Sequence, residues 1–199
     1  MALGFGALFI KQAWLLKAKP KEIIMHFTFC PQCGAKLGSV PFGDDGRVPW
    51  CHVCHRPFFD IFPIVTVTMV INELEEVALL RTKYMSEKYY NFVSGYVQTG
   101  EQAETCAARE VQEEIGLTVG KIHFVCSQWE PQQQLLLMGF IAKAKKAELS
   151  LSKEIHDAIW VPKKQALALV YPAGNITHML LEKYLWQGDS KRVGDKDAD

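Results

Sequence analysis

Residues Gly95–Leu117, GYVQTGEQAETCAAREVQEEIGL, decide the reading of this chain. They place Glu110, Glu113 and Glu114 together on one face of a short helix that ends at Gly116. Acids are unfavourable there, because a helix C-terminus carries partial negative charge and like charges at i,i+4 cost about 0.2–0.5 kcal/mol per pair. A positive group is therefore expected to compensate. Carboxylates converging from one face suit a hard divalent cation, Mg²⁺ or Mn²⁺, with Arg109 available to orient one of them through a bidentate pair. The plainer alternative is a solvated acidic helix face. Gly95 and Gly100 would shape the loop that brings the backbone close to metal and phosphates.

Gly95, Glu101, Arg109, Glu110, Val111, Glu113, Glu114, Gly116 and Leu117 fit the pattern G-x5-E-x7-R-E-U-x-E-E-x-G-U, with U apolar, at every fixed position. In this the stretch resembles the Nudix hydrolases. The resemblance implies an α/β/α sandwich with a mixed sheet, and a hydrolase that cleaves a pyrophosphate joined to a nucleoside. It also implies that Glu110 and Glu114 hold the metal and that Arg109, Glu110, Glu113 and Glu114 form the catalytic set. Glu113 is either a second ligand or the base that activates water. The chemistry is coherent, since a pyrophosphate diester resists water until metal ions neutralise its oxygens.

A second constellation precedes the box: Cys30-Pro31-Gln32-Cys33, then Cys51-His52-Val53-Cys54, with seventeen residues from Gly34 to Trp50 between them. Two C-x-x-C knuckles at this spacing place four thiolates around a tetrahedral Zn²⁺, and four thiolates leave no open position for chemistry. The zinc is expected to be structural. The alternatives are His52 or His55 in place of one thiolate, or a disulfide. Cys106 and Cys126 fall in a helix and a strand and read as small buried hydrophobes.

With 199 residues, 49% apolar, and 22 basic against 22 acidic residues, the composition is that of one core domain with a small appendage. Neutrality argues against a large nucleic-acid footprint. Free cysteines and a thiolate zinc site point to a reducing compartment, the cytoplasm. The apolar start is short for a membrane span and Lys11 interrupts it, so no membrane helix is expected. Met25 opens a compact ribbon start. Residues 1–24 accordingly read as an N-terminal extension that an upstream start assignment would explain, 25–60 as the zinc ribbon, 61–187 as the hydrolase domain, and the polar 188–199 as a disordered tail.

Between the motifs, IVTVTMV after Pro63 and EVALLRT beyond a turn at Asn72 read as paired strands, and 91–97 as a strand feeding the box loop. Residues 121–128 and 134–142 read as a further β pair and 158–161 as a short strand. Helices are expected over 162–170 and 175–186, with Pro162 suited to a first turn.

A zinc ribbon followed by this box is similar to the NADH pyrophosphatases, which cut NAD(H) into nicotinamide mononucleotide and AMP and remove NAD caps from RNA. The likeness covers roughly 26–187. It implies a third metal-ligating acid at Glu154 in KEIHDAIW, a substrate-side loop at 172–177 that includes Thr177, a ring-stacking position at Tyr96, and a homodimer. Two stretches depart from it. The specificity element, approximately S-Q-P-W-P-F-P-x-S, is here Ser127-Gln128-Trp129-Glu130-Pro131-Gln132-Gln133-Gln134, and a Tyr-Pro-Arg-like segment is replaced by Pro57-Phe58-Phe59-Asp60. Gln128 and Trp129 remain candidate substrate contacts, with Trp129 and Tyr96 expected to sandwich or flank a ring. A buried aromatic without a ligand is the alternative for Trp129. ADP-ribose and FAD compete with NAD(H) as substrates, and a zinc-ribbon nucleic-acid-binding module or a non-catalytic sensor are the other function classes.

Overall fold

In the computed structural model, residues 27–83 and 88–194 are described, with side chains up to residue 185. The expectations for residues 1–24 and 195–199 lie outside the described residues. Two compact units part between Ile61 and Phe62.

The first unit is a three-stranded antiparallel sheet, β1 (Gly38–Pro41), β2 (Arg47–Cys51) and β3 (Arg56–Pro57), in that order. A Cβ built on Gly38 would lie 2.6 Å from Nε2 of the exposed His52 ring.

The second unit is built on β4 (Ile64–Ile71), β5 (Glu76–Thr82), β6 (Val93–Tyr96), β7 (Ile122–Glu130), β8 (Leu135–Lys143) and β9 (Ile155–Pro162). Their order is β7-β8-β4-β5-β9, with β6 paired to the start of β4. Only β4 and β8 run parallel, so the sheet is mixed. β4 sits centrally and is buried on both faces, which explains why IVTVTMVI is a continuous run rather than an alternating one. Val67, Met69 and Ile71 enter a core shared with Leu180 and Leu181 of α3 (Ile176–Gly194). Val70 enters the opposite core with Val111 and Ile115 of α1 (Ala103–Ile115). One helix on each face gives the expected sandwich.

The β4–β5 turn is made by buried Asn72, whose Oδ1 accepts from the backbone N–H of Leu74 at 2.9 Å and of Glu76 at 3.0 Å. Two expectations need correction. The helix expected over 162–170 is a single turn, α2 (Lys163–Ala166), because the chain beyond it is drawn into pairing: Tyr90 N–H donates to the Leu169 carbonyl at 2.9 Å and Val170 bridges Tyr90. The closing helix runs to Gly194, so the boundary expected after 187 falls inside it. Gly188 costs a helix about 1 kcal/mol but does not by itself end one.

Candidate active site

α1 ends as its sequence demands, with Gly116 at φ 71° in the left-handed region and its N–H bonded to the Gln112 carbonyl at 3.1 Å. The three glutamates before it do not share one environment. Glu114 is buried at 8% exposure, Glu110 is mostly covered, and Glu113 stands at the rim.

Part of the compensating charge comes from the same helix. Arg109 grips Glu101 with two bonds, Nε to Oε1 at 2.8 Å and Nη2 to Oε2 at 3.0 Å. Its Nη1 reaches Glu110 at 2.6 Å and Glu113 at 2.9 Å, and Nη2 also donates to the Tyr96 carbonyl at 3.2 Å. The bidentate partner is therefore Glu101, in the loop before the helix, rather than a helix carboxylate. That grip, with a backbone N–H from Gln98, holds Glu101 down to about 2.

Glu114 receives none of this charge. Burial, then the charge of Glu110 and further those of Glu154 and Glu113, push it up to about 8, although a backbone N–H from Ser94 works the other way. Its Oε2 has no hydrogen-bond partner among the described residues. A buried, orphaned carboxylate oxygen facing other acids fits a divalent cation.

Gly95 makes room for the acids. A Cβ built on it would lie 1.9 Å from Cδ of Glu110, so any other residue would displace that carboxylate. Gly100 has φ +81°, the left-handed backbone that glycine adopts without strain. Cys106 lies beneath, fully buried, its Sγ 3.4 Å from both Thr66 Oγ1 and the Tyr96 carbonyl. Burial pushes its thiol pKa up, and that of Cys126 likewise, which agrees with inert packing roles.

Backbone pairing brings Glu154 to this place. Ser152 N–H bonds the Glu114 carbonyl at 3.0 Å, and Lys83 N–H bonds the Glu154 carbonyl at 3.0 Å. Just beyond, a β-bulge at Arg81/Thr82 interrupts the β5–β9 ladder. There Asp157 accepts from Arg81 at 2.7 Å and from the Tyr90 hydroxyl, while the Arg81 guanidinium lies 4.6 Å from the Tyr90 ring centroid. The sequence reading missed this three-residue brace, since it takes both the β5–β9 pairing and the bridge from Leu80 to Asn91 to assemble it.

The expected substrate contacts do not form one cluster. Register runs Tyr96–Val65–Leu137–Gln128 across four strands, so Tyr96 and Gln128 are three strands apart, about 14 Å in backbone terms. Strand alternation puts Trp129 on the opposite side of the sheet from Tyr96, so the two cannot sandwich one ring. Both are exposed, Tyr96 by 59% and Trp129 by 46%, and Trp129 packs edge-on against Phe62 at 5.4 Å. Gln128 Nε2 donates to the Gly174 carbonyl at 2.9 Å, which ties β7 to the 172–177 loop, while Thr177 is buried at 4% exposure.

In the first unit, the Sγ atoms of Cys30, Cys33, Cys51 and Cys54 all lie within 4.8 Å of one another. Among the described residues no other group of three or more His, Cys, Asp or Glu gathers so tightly, the box glutamates included. The Cys30–Cys54 and Cys33–Cys51 separations are 3.8 and 3.6 Å. A disulfide spans about 2.05 Å, whereas tetrahedral ligands 2.3 Å from zinc stand about 3.8 Å apart. The cluster fits a metal, and neither histidine belongs to it. Burial opposes ionisation of Cys30, but backbone N–H groups of Cys33 and Gln32 outweigh it and bring the thiol down to about 7. The neighbouring Cys33 leads the causes that push the Cys54 thiol up to about 12.

The model of the NUDIX domain matches residues 62–180. Among curated relatives, the NAD-capped RNA hydrolase NudC of Erwinia tasmaniensis is 31% identical over 166 residues, covering 81% of this chain and 60% of the relative. That of Stutzerimonas stutzeri is 33% identical over 173 residues, covering 86% and 59%. The chain thus spans about three fifths of the length of these relatives. A NUDIX hydrolase structure from Nitrosomonas europaea superposes with a TM-score of 0.63 at 20% identity, covering 81% of this chain and 92% of the other, which speaks to the fold. With the domain match covering more than half its length and the box helix capped, braced and packed as described, this chain belongs to the Nudix family.

Proposed function

We propose that the chain hydrolyses the pyrophosphate bond of NAD(H), giving nicotinamide mononucleotide and AMP, and acts on the same linkage at the end of NAD-capped RNA. The observation that carries this is the buried Glu114 carboxylate, one oxygen of it unpartnered, among the charges of Glu110, Glu113 and Glu154. The names of the relatives supply the substrate.

Glu110, Glu114 and Glu154 would hold Mg²⁺ or Mn²⁺, which when bound neutralises pyrophosphate oxygens and makes water a better nucleophile. Arg109 keeps Glu110 and Glu113 oriented while Glu101 fixes Arg109 to the loop. Glu113, at the solvent rim, takes the proton of the attacking water as a P–O bond of the anhydride breaks and the departing phosphate carries away the charge. Tyr96 and Trp129, on opposite sides of the sheet, touch different parts of the substrate, with Gln128 and Thr177 shaping the loop beside it. Cys30, Cys33, Cys51 and Cys54 hold a structural Zn²⁺. The thiols suit the reducing cytoplasm, and a homodimer is the expected assembly.

The test is a metal-supplemented hydrolysis panel of NADH, NAD⁺, ADP-ribose, FAD and NAD-capped RNA, with products identified by mass. NADH should yield nicotinamide mononucleotide and AMP, and Glu110→Gln and Glu114→Gln should each abolish most turnover. More than about a tenth of wild-type kcat in either variant at saturating Mg²⁺, a loss below about 1.4 kcal/mol, would remove that residue from the metal site. Turnover of ADP-ribose or FAD without NADH would transfer the assignment to those substrates.

A further inference from the structure

Ala158 and Trp160 of β9 face the core on the α1 side, so unbroken alternation would turn Ile155 away from it. Ile155 is nevertheless buried in that core, because the bulge leaves His156 unpaired: Arg81 stands opposite Asp157, and Thr82 opposite Ile155. The next residue back is Glu154, whose carbonyl is held by Lys83 N–H. Sliding the pairing by one residue would carry Glu154 about 3.3 Å along the strand, whereas a metal ligand must sit within about 0.2 Å of its place. Register at the bulge therefore decides whether Glu154 can serve a cation. On the α1 side of the bulge, Oγ1 of buried Thr82 has no hydrogen-bond partner among the described residues. The side-chain hydrogen bonds lie on the other face, in the brace of Arg81, Tyr90 and Asp157.

Tyr90 joins that brace to the remaining acids. Its N–H donates to the Leu169 carbonyl at 2.9 Å, and Asn91 beside it bridges Leu80 of β5, so the phenol extends from a fixed backbone. The same run enters β6, where the Ser94 N–H bonds Glu114 and Gly95 makes room for Glu110. The brace thus spans from the segment that seats Glu110 and Glu114 to the strand that begins just after Glu154.

We propose that Arg81, Tyr90 and Asp157 are positioning residues for the third metal-ligating acid: they lock the bulge in register and so fix Glu154 relative to Glu110 and Glu114, a role that rests on the metal reading given above. None of the three touches the metal. Their contribution is to the affinity of the site for its cation.

Mn²⁺ titrations of the full chain without nucleotide, followed by the electron paramagnetic resonance signal of the free ion, test this apart from turnover. Glu114→Gln and Glu154→Gln should each weaken binding. Asp157→Asn should weaken it about tenfold, the lower end of the effect of losing support around a metal ligand, and Tyr90→Phe, which deletes only the hydroxyl, should act in the same direction but less. The deciding readout is the double-mutant cycle with Glu154→Gln: once that carboxylate is gone, Asp157→Asn should change Mn²⁺ affinity by less than about twofold. A purely structural loss would appear in both backgrounds. Wild-type affinity in both Asp157→Asn and Tyr90→Phe, or an equal loss with and without the Glu154 carboxylate, overturns the proposal and leaves the box assignment standing. A wild type that binds no Mn²⁺ overturns the metal role of the box acids, and affinity untouched by Glu154→Gln removes Glu154 from the site; either result overturns the positioning role as well.

Discussion

At the level of single residues, the proposed metal site turns on the burial of Glu114 and the space that Gly95 leaves for Glu110. The close approach of Glu110 to Gly95 makes Gly95→Ala a test of geometry rather than of charge, since the added methyl would overlap the carboxylate at 1.9 Å. Overpacking of this kind costs about 1–3 kcal/mol, so the variant should melt earlier and lose at least about tenfold in kcat as Glu110 moves. Wild-type turnover in Gly95→Ala would mean that Glu110 tolerates displacement and does not hold metal. Tyr96 and Trp129 make a second residue-level prediction, because they face opposite sides of the sheet. Tyr96→Ala and Trp129→Ala should raise KM for NADH unequally, within about five- to 150-fold, and only one of them should affect ADP-ribose comparably. Equal losses on both substrates from both variants would return the two rings to packing.

Between elements, the important tie is the one from the box loop to α1 through Glu101 and Arg109. Glu101 is held down to about 2, well below an unfolded glutamate near 4.3. A carboxylate depressed in the fold contributes stability above its unfolded pKa and loses it as pH falls through the folded value. The difference in melting temperature between wild type and Glu101→Gln should therefore be full above about pH 5 and shrink steadily toward pH 2. A difference that stays constant over that range would show that the ion pair contributes nothing through titration. The brace of Arg81, Tyr90 and Asp157 plays the corresponding part for β5 and β9 on the Glu154 side.

The whole chain consists of two units with different sources of stability. The larger has two cores, one on each face of its sheet, while the ribbon has three short strands and the cysteine cluster, a scale at which structural metal commonly supplies folding free energy. Purified without chelator, the protein should carry one zinc per chain. Serine in place of Cys30, Cys33, Cys51 or Cys54 should lose the zinc and unfold the ribbon. Elemental analysis finding no zinc, or mass spectrometry finding a disulfide between those cysteines in the native protein, would overturn this.

Local chemistry is what the sequence by itself determined. Box spacing, knuckle spacing and the apolar run of β4 each depend on residues close in the chain, and helix periodicity, a glycine cap and C-x-x-C geometry turn such spacing into structure with little outside help. Hence the mixed α/β sandwich, the four-cysteine cluster and the box helix were all legible. The tertiary structure decided what depends on distant pairing. It separated Glu114 from Glu113 by burial, chose Glu101 as the bidentate partner of Arg109, and placed Tyr96 and Trp129 on opposite sides of the sheet. It also shortened α2 by drawing Leu169 and Val170 to Tyr90. The physical reason is that burial and strand register are properties of the neighbours a residue acquires on folding, and most of those neighbours lie tens of residues away in the chain, though Glu101 stands only eight from Arg109.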